Sequence, residues 1–311
     1  MFKFVLLMLI GFLLLIKGAD FLVKGASNIA KKFKIPEIVI GLTIVSIGTS
    51  MPELFISITS ALEGHSDMSV GNVIGSNIAN LLLILGLTAI IKPIKFKKST
   101  IKYEIPICVI TTIMLFVFGN TNKTISKIES IALLIYFGFF IIYTVALAKN
   151  NKVKEKKSKP KYNTLISLIF IILGVLGLKF GGDLTVNNAI QIAKILNISE
   201  KIIGITILAI GTSLPELVTS IISAKKGSTD LAIGNIIGSN ILNILLIIGV
   251  SSFIKPINYN VSYNLDLIIL TFSLILLFVF AFTKPKEKMS RGNGIIYFIC
   301  YLLYLLMLFL I

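Results

Sequence analysis

The chain has 311 residues, 56% of them hydrophobic and 14% charged, with a formal net charge of +16. That much apolar side chain cannot be hidden inside a water-soluble domain, so a polytopic membrane protein is expected. One histidine (His65) and two distant cysteines (Cys108, Cys300) give no support to a disulfide framework, a histidine-built metal centre or Ser–His chemistry. Apolar windows of about 20 residues predict ten transmembrane helices in an all-α fold. They lie near 2–23, 36–62, 67–91, 103–119, 126–147, 164–186, 200–224, 230–254, 263–283 and 293–311.

The first span has Lys3 ahead of an apolar run and a small residue at Ala19, as a secretory signal would. Residues 16–31 are partly matched by 179–194, however, so this span is read as retained. The positive charge follows the loops rather than a nucleic-acid face. Lys24, Lys31, Lys32 and Lys34, the loop from Lys92 to Lys102, the run KNNKVKEKKSKPK, Lys225 and Lys226, and the loop from Lys284 to Arg291 fall on one side. Lysine-rich loops stay cytoplasmic, which predicts both termini outside and the linker over 149–163 inside. A secondary attraction to anionic lipid fits the same distribution.

Adding 163 to residues 41–94 gives 204–257 without a gap. GLTIVSIGTSMPEL pairs with GITILAIGTSLPEL, and VGNVIGSNIANLLLILG with IGNIIGSNILNILLIIG; about thirty of the fifty-four positions are identical. The chain therefore reads as a five-helix repeat over 1–148, a linker over 149–163 and a second repeat over 164–311. Five is odd, so the repeats have opposite orientation. In inverted repeats of this kind the substrate site lies near the midplane, between the halves.

Each copy carries G-T-S-x-P-E in mid-span. Proline has no N–H, so Pro52 frees the carbonyl of Gly48 and Pro215 that of Gly211. A freed carbonyl in a membrane needs a partner, and a cation is one. Thr49 and Glu53, like Thr212 and Glu216, are four apart and share a helix face. In the next span Ser76 and Asn80, like Ser239 and Asn243, share a face as well. The G-xxx-G pairs Gly71/Gly75 and Gly234/Gly238 favour close helix approach. All of these ligand types are hard oxygens, which suit Ca²⁺ and Na⁺. Glu53 and Glu216 bring −2 when ionised, with no Lys or Arg inside their own or the next spans. One Ca²⁺, two monovalent cations or protons would neutralise them. Carrying −2 empty through an occluded state is costly, which points to obligatory exchange. Of the other charges, Asp20 and Asp183 read as interfacial ion-pair residues, with Lys17 and Lys24 beside Asp20. Asp67 and Asp230 read as helix N-caps, and Lys17 and Lys179 as snorkelling side chains.

The twin motifs GTSxPE and GNxIGSNIxN resemble the alpha repeats of the sodium/calcium exchanger family, prokaryotic type, within the calcium/cation antiporter superfamily. The resemblance covers the whole ten-span layout. It implies a secondary antiporter, not an enzyme, that exchanges Ca²⁺ for Na⁺ by alternating access and needs no cofactor. The alternatives are a Ca²⁺/H⁺ antiporter and, more distantly, a passive cation channel. By resemblance the site comprises Glu53 and Glu216 with Thr49, Thr212, Ser50, Ser213, Ser76, Ser239, Asn80 and Asn243, plus the backbone carbonyls of Ser46 and Ala209. The first and sixth spans would be the sliding gate. Family members often carry Asp at one of the positions held here by Asn80 and Asn243, which leaves this site with two carboxylates. Beyond the ions and the lipid bilayer of the cell membrane no partner is implied: no nucleic acid, no obligate protein and, in so short a linker, no large regulatory domain.

Overall fold

The computed structural model describes residues 1–150, 160–196, 209–283 and 287–310, and their side chains apart from those of residues 66, 67, 209, 309 and 310. Among these, eight helices are long and apolar enough to cross a membrane, and one bent pair would make a ninth span. In chain order, α1 (Phe2–Phe33) is followed by the bent pair α2 (Glu37–Thr49) and α3 (Met51–Glu63), then α4 (Met68–Ile91), α5 (Thr100–Thr121) and α6 (Lys127–Asn150). The second half has α7 (Thr164–Ile195), a short α8 (Ala209–Thr212), α9 (Leu214–Lys225), α10 (Thr229–Ile254), α11 (Tyr263–Phe282) and α12 (Arg291–Leu308). The expected span over 200–224 lies partly outside the described residues; α8 and α9 are its described part. The first span runs to Phe33 rather than 23. At 1.5 Å per residue its 32 residues reach about 48 Å, longer than the ~30 Å of a hydrocarbon core. Its last turn therefore carries Lys31 and Lys32 beyond the apolar zone.

Two short antiparallel ribbons close the ends. Strand β1 (Ile94–Lys95) pairs with β4 (Lys288–Met289), and β2 (Thr124–Ile125) pairs with β3 (Ile257–Asn258). Since α5 runs from β1 to β2 and α11 from β3 to β4, the ribbons lie at opposite ends of these helices. Each ribbon takes one strand from each half.

Helices α4 and α10 are the most enclosed spans, and α10 is almost wholly buried. Around them packs the larger apolar core, with Ile74, Ile78, Leu81, Ile236, Ile241 and Leu245 among its members. A second core is separate. Leu15, Ala19, Leu22 and Ala26 of α1 meet Leu178 of α7, with Ile40, Val45 and Leu231 closing it.

The α1–α7 contact is set by glycines that sequence reading left unremarked. A Cβ on Gly18 would stand 2.7 Å from the Leu178 nitrogen, one on Gly174 2.6 Å from the Leu22 nitrogen, and one on Gly181 2.7 Å from the Leu15 nitrogen. Rising numbers on α1 meet falling numbers on α7, so the two helices are antiparallel with their backbones touching. The G-xxx-G expectation is met at Gly234 and Gly238, which pack on Ile38, Gly41 and Leu42 of α2. For Gly71 and Gly75 the equivalent partner segment lies outside the described residues.

Two expectations about the remaining charges change. Asp230 is not an N-cap. Ser228 occupies that place without a side-chain cap bond, while the Asp230 carboxylate, one residue into the helix, reaches Lys97 at 2.6 Å. Asp20 pairs with Lys24 at 2.6 Å as expected, but also with Lys226, which the fold brings from the end of α9. Lys179 lies 5.7 Å from the ring centres of Phe55 and Phe180, a cation–π contact that ties α7 to α3. The side chain of Asp67 lies outside the described residues.

The glycine contact gives a stability prediction. Gly18→Ala and Gly174→Ala each place a methyl against backbone and lower stability by about 1–3 kcal/mol. Gly138→Ala, where a Cβ would meet nothing within 4 Å, does not lower it. Thermal unfolding in detergent separates the two outcomes.

Candidate functional site

Two breaks at repeat-equivalent residues build the centre. Ser50 (φ −86°, ψ 10°) ends α2, and α3 leaves at 51° with Pro52 in its first turn. Ser213 (φ −88°, ψ 6°) separates α8 from α9, with Pro215 in the first turn. Proline is tolerated there because a first-turn N–H has no helical partner to lose. Glu53 and Glu216 thus fall in the opening turns of α3 and α9, where the positive helix end favours an anion. Both are 1% exposed.

Facing the breaks, α4 and α10 each widen into a π-helical turn, over Ala79–Leu85 and Asn243–Ile248. A π-turn inserts one extra residue and re-aims the side chains at its mouth. Asn80 and Asn243 sit at those two mouths.

Hydrogen bonds knit the halves together here. Ser50 donates to Glu216 Oε1 at 2.9 Å and lies 3.0 Å from Ser239 Oγ. Ser76 approaches Glu53 Oε1 at 3.5 Å, and Thr49 donates to Asn235 Oδ1 at 3.1 Å. Asn72 donates to Ser57 Oγ (3.0 Å) and to the Glu53 carbonyl (3.3 Å), while Asn235 donates to Ser220 Oγ (3.1 Å). Asn77 and Asn240 bridge α4 and α10 directly. The Ser46 carbonyl, an expected ligand, accepts from the Ser50 N–H at 2.9 Å and lies 3.3 Å from Thr49 Oγ1, whose one proton serves either this carbonyl or Asn235 Oδ1.

Among the described residues several buried oxygens have no hydrogen-bond partner: Glu53 Oε2, Glu216 Oε2, Asn80 Oδ1, Asn243 Oδ1 and Ser213 Oγ. Leaving such groups unmade is expensive in a low-dielectric interior. Every one is a hard oxygen, and two belong to carboxylates, which is the donor set a calcium or sodium ion prefers. Among the described residues no group of three or more His, Cys, Asp or Glu could hold a metal, so the rest of this donor set is neutral.

Of the expected site residues, Glu53, Glu216, Ser46, Thr49, Ser50, Ser76, Ser213, Ser239, Asn80 and Asn243 are all buried around the two breaks. Thr212 is half-buried at the end of α8, and the side chain of Ala209 lies outside the described residues. Sequence reading missed four side chains that organise the site: Asn72, Asn77, Asn235 and Asn240. The signal was present, because all four are identical between the two copies of GNxIGSN.

Known proteins are similar to this chain over nearly its whole length. The family model described as sodium/calcium exchanger protein matches residues 3–146 and 166–310. A putative antiporter, CaxA, of Alkalimonas amylolytica is 37% identical over 97% of each chain. The sodium/calcium exchanger MaX1 of Methanosarcina acetivorans is 33% identical over 98% of each. A solved structure of the sodium–calcium exchanger NCX_Mj, soaked with Na⁺ and Ca²⁺, superposes with a TM-score of 0.83 at 36% identity over 97% of each chain. With its membrane helices, its twin broken motifs and these full-length matches, the chain belongs to the sodium/calcium exchanger protein family of cation antiporters.

Proposed function

We propose that the protein exchanges Ca²⁺ for Na⁺ by alternating access at a single site between Glu53 and Glu216. The observation that carries the reading is the pair of buried carboxyl groups, each with one oxygen lacking a partner, beside two equally unpartnered amide oxygens. Glu53 and Glu216 supply the charge. Asn80, Asn243, Ser50, Ser213, Ser76, Ser239, Thr49 and Thr212 supply neutral oxygens. The Ala209 carbonyl completes the set, and the Ser46 carbonyl joins it with the lone pair that its bond from the Ser50 N–H leaves over. Ten spans form two inverted halves, 1–148 and 164–311, joined by a cytoplasmic linker over 149–163, with both termini outside.

Loading sets the exchange rule. Two ionised carboxylates without a cation are costly to occlude, whereas one Ca²⁺ or a set of Na⁺ ions offsets that cost. The protein therefore crosses between its outward and inward arrangements when loaded. The separate core of α1 and α7 supports a moving pair that slides past the rest. In a Ca²⁺/H⁺ antiporter the same two carboxyls would take protons instead. Four neutral oxygens from Ser76, Ser239, Asn80 and Asn243 on the facing helices favour a metal ion over a proton, since a proton needs only one acceptor.

The deciding measurement uses sealed vesicles loaded with Ca²⁺. External Na⁺ at fixed pH releases the Ca²⁺; release by acid alone would assign the proton reading, and release without any counter-ion would assign a channel. Glu53→Gln or Glu216→Gln each abolishes this flux.

A second expectation concerns stability. In chelator-treated protein the double variant Glu53→Gln/Glu216→Gln is more stable than the parent by at least about 1 kcal/mol, since it buries no carboxylate pair. Added Ca²⁺ raises the melting temperature of the parent and leaves the double variant unmoved. Equal melting of both proteins without cation would argue against an ionised pair.

A further inference from the structure

Asn77 and Asn240 form a reciprocal pair across the two halves. Asn240 donates its side-chain N–H to the backbone carbonyl of Asn77 at 3.3 Å, and Asn77 donates to that of Asn240 at 3.1 Å. A backbone carbonyl only accepts, so each side chain must present Nδ2 there, which turns its Oδ1 the other way. Those two oxygens are what Asn80 and Asn243 meet. Asn80 Nδ2 donates to Asn240 Oδ1 at 3.0 Å, and Asn243 Nδ2 donates to Asn77 Oδ1 at 3.0 Å.

The sense of all four amides is therefore set by two backbone carbonyls that cannot flip. An acceptor at the clamp admits only the N–H edge of Asn80 or Asn243. Their own oxygens must then point away from it, and these are the two amide oxygens that are buried and unpartnered. Each half holds the other half's residue: Asn240 of the second holds Asn80, and Asn77 of the first holds Asn243.

We propose that Asn77 and Asn240 are positioning residues that make Asn243 and Asn80 deliver oxygen, and never N–H, to the cation. The proposal rests on the reading of Asn80 and Asn243 as ligands. A free amide samples both orientations, and the flipped one turns its positive N–H edge towards the ion. The clamp removes that orientation before any ion arrives, so ordering the ligand costs nothing at the moment of binding.

Two readouts test it, one of which needs no transport. In cation-free protein carrying ¹⁵N-asparagine, the side-chain amide of Asn80 exchanges its hydrogens slowly. Asn240→Leu speeds that exchange at least tenfold while leaving Asn72 unchanged. In vesicles, Asn240→Leu raises the KM for Ca²⁺ about tenfold, the weight of one buried hydrogen bond, and changes kcat by less than about twofold. Asn240→Asp is the rescue. Its protonated carboxyl reproduces both bonds and its ionised form still offers Asn80 an acceptor, so it recovers most of the affinity that the Leu variant loses, relative to the parent at each pH. Should Asn240→Leu not fold, Asn240→Ala takes its place, and the exchange rate of Asn80 relative to the parent at one pH decides alone. Unchanged Asn80 exchange overturns the clamp, as does a fall in kcat with KM intact. A parent that moves no Ca²⁺ against Na⁺ refutes the transport reading and leaves the exchange measurement standing.

Discussion

Two carboxyl groups in a medium of low dielectric constrain everything else in this protein. A buried carboxylate without a counter-charge is penalised by several kcal/mol, and here two are buried at the two breaks with no lysine or arginine within α2, α3, α4 or α10. The surrounding architecture holds oxygen around them without supplying positive charge. Broken helices turn N-termini towards each glutamate, π-turns aim amides from the facing helices, and serines carry the hydrogen bonds across. On the proposed reading the compensating positive charge comes from the cargo, and that requirement would make a membrane protein of this kind an exchanger instead of a leak.

Duplication explains how one short motif supplies a whole site. The breaks at Ser50 and Ser213 have nearly the same backbone angles, and Gly64 and Gly227 end the following helices with the same left-handed turn (φ 87° and 88°). The hydrogen bonds are less symmetric than the sequence. Ser50 bonds the opposite glutamate, whereas the equivalent Ser213 Oγ has no partner among the described residues. Thr49 bonds Asn235 and is fully buried, while its counterpart Thr212 is only half-buried. Identical residues thus sit in two different local states within one molecule.

Much of this was legible in the residues. Helical class and most span positions follow from apolar run length, and the glutamates stand out because a proline–carboxylate pair has no other reason to recur in mid-membrane. What was not legible depends on contacts between distant segments. Gly18 and Gly174 look like ordinary membrane glycines until an antiparallel partner puts backbone against them. Asp230 follows a good capping residue in sequence, yet Lys97 from another loop claims its carboxylate. Asn77 and Asn240 show up only as letters repeated in both copies; their bonds to each other's backbone require the two halves to be assembled. The Ser46 carbonyl, expected as a ligand, accepts the Ser50 N–H of its own turn.

The ribbons at the two ends carry a mechanical consequence. One stitches β1 of the first half to β4 of the second, the other β2 to β3, and the asparagine bridge adds a third seam between them. Covalent continuity through the linker is therefore the least of the ties between the halves. A molecule sewn at both faces and in the middle has no plane along which its two halves can hinge open like a book. Whatever motion admits an ion has to take place inside a closed frame, by a part that the seams do not hold.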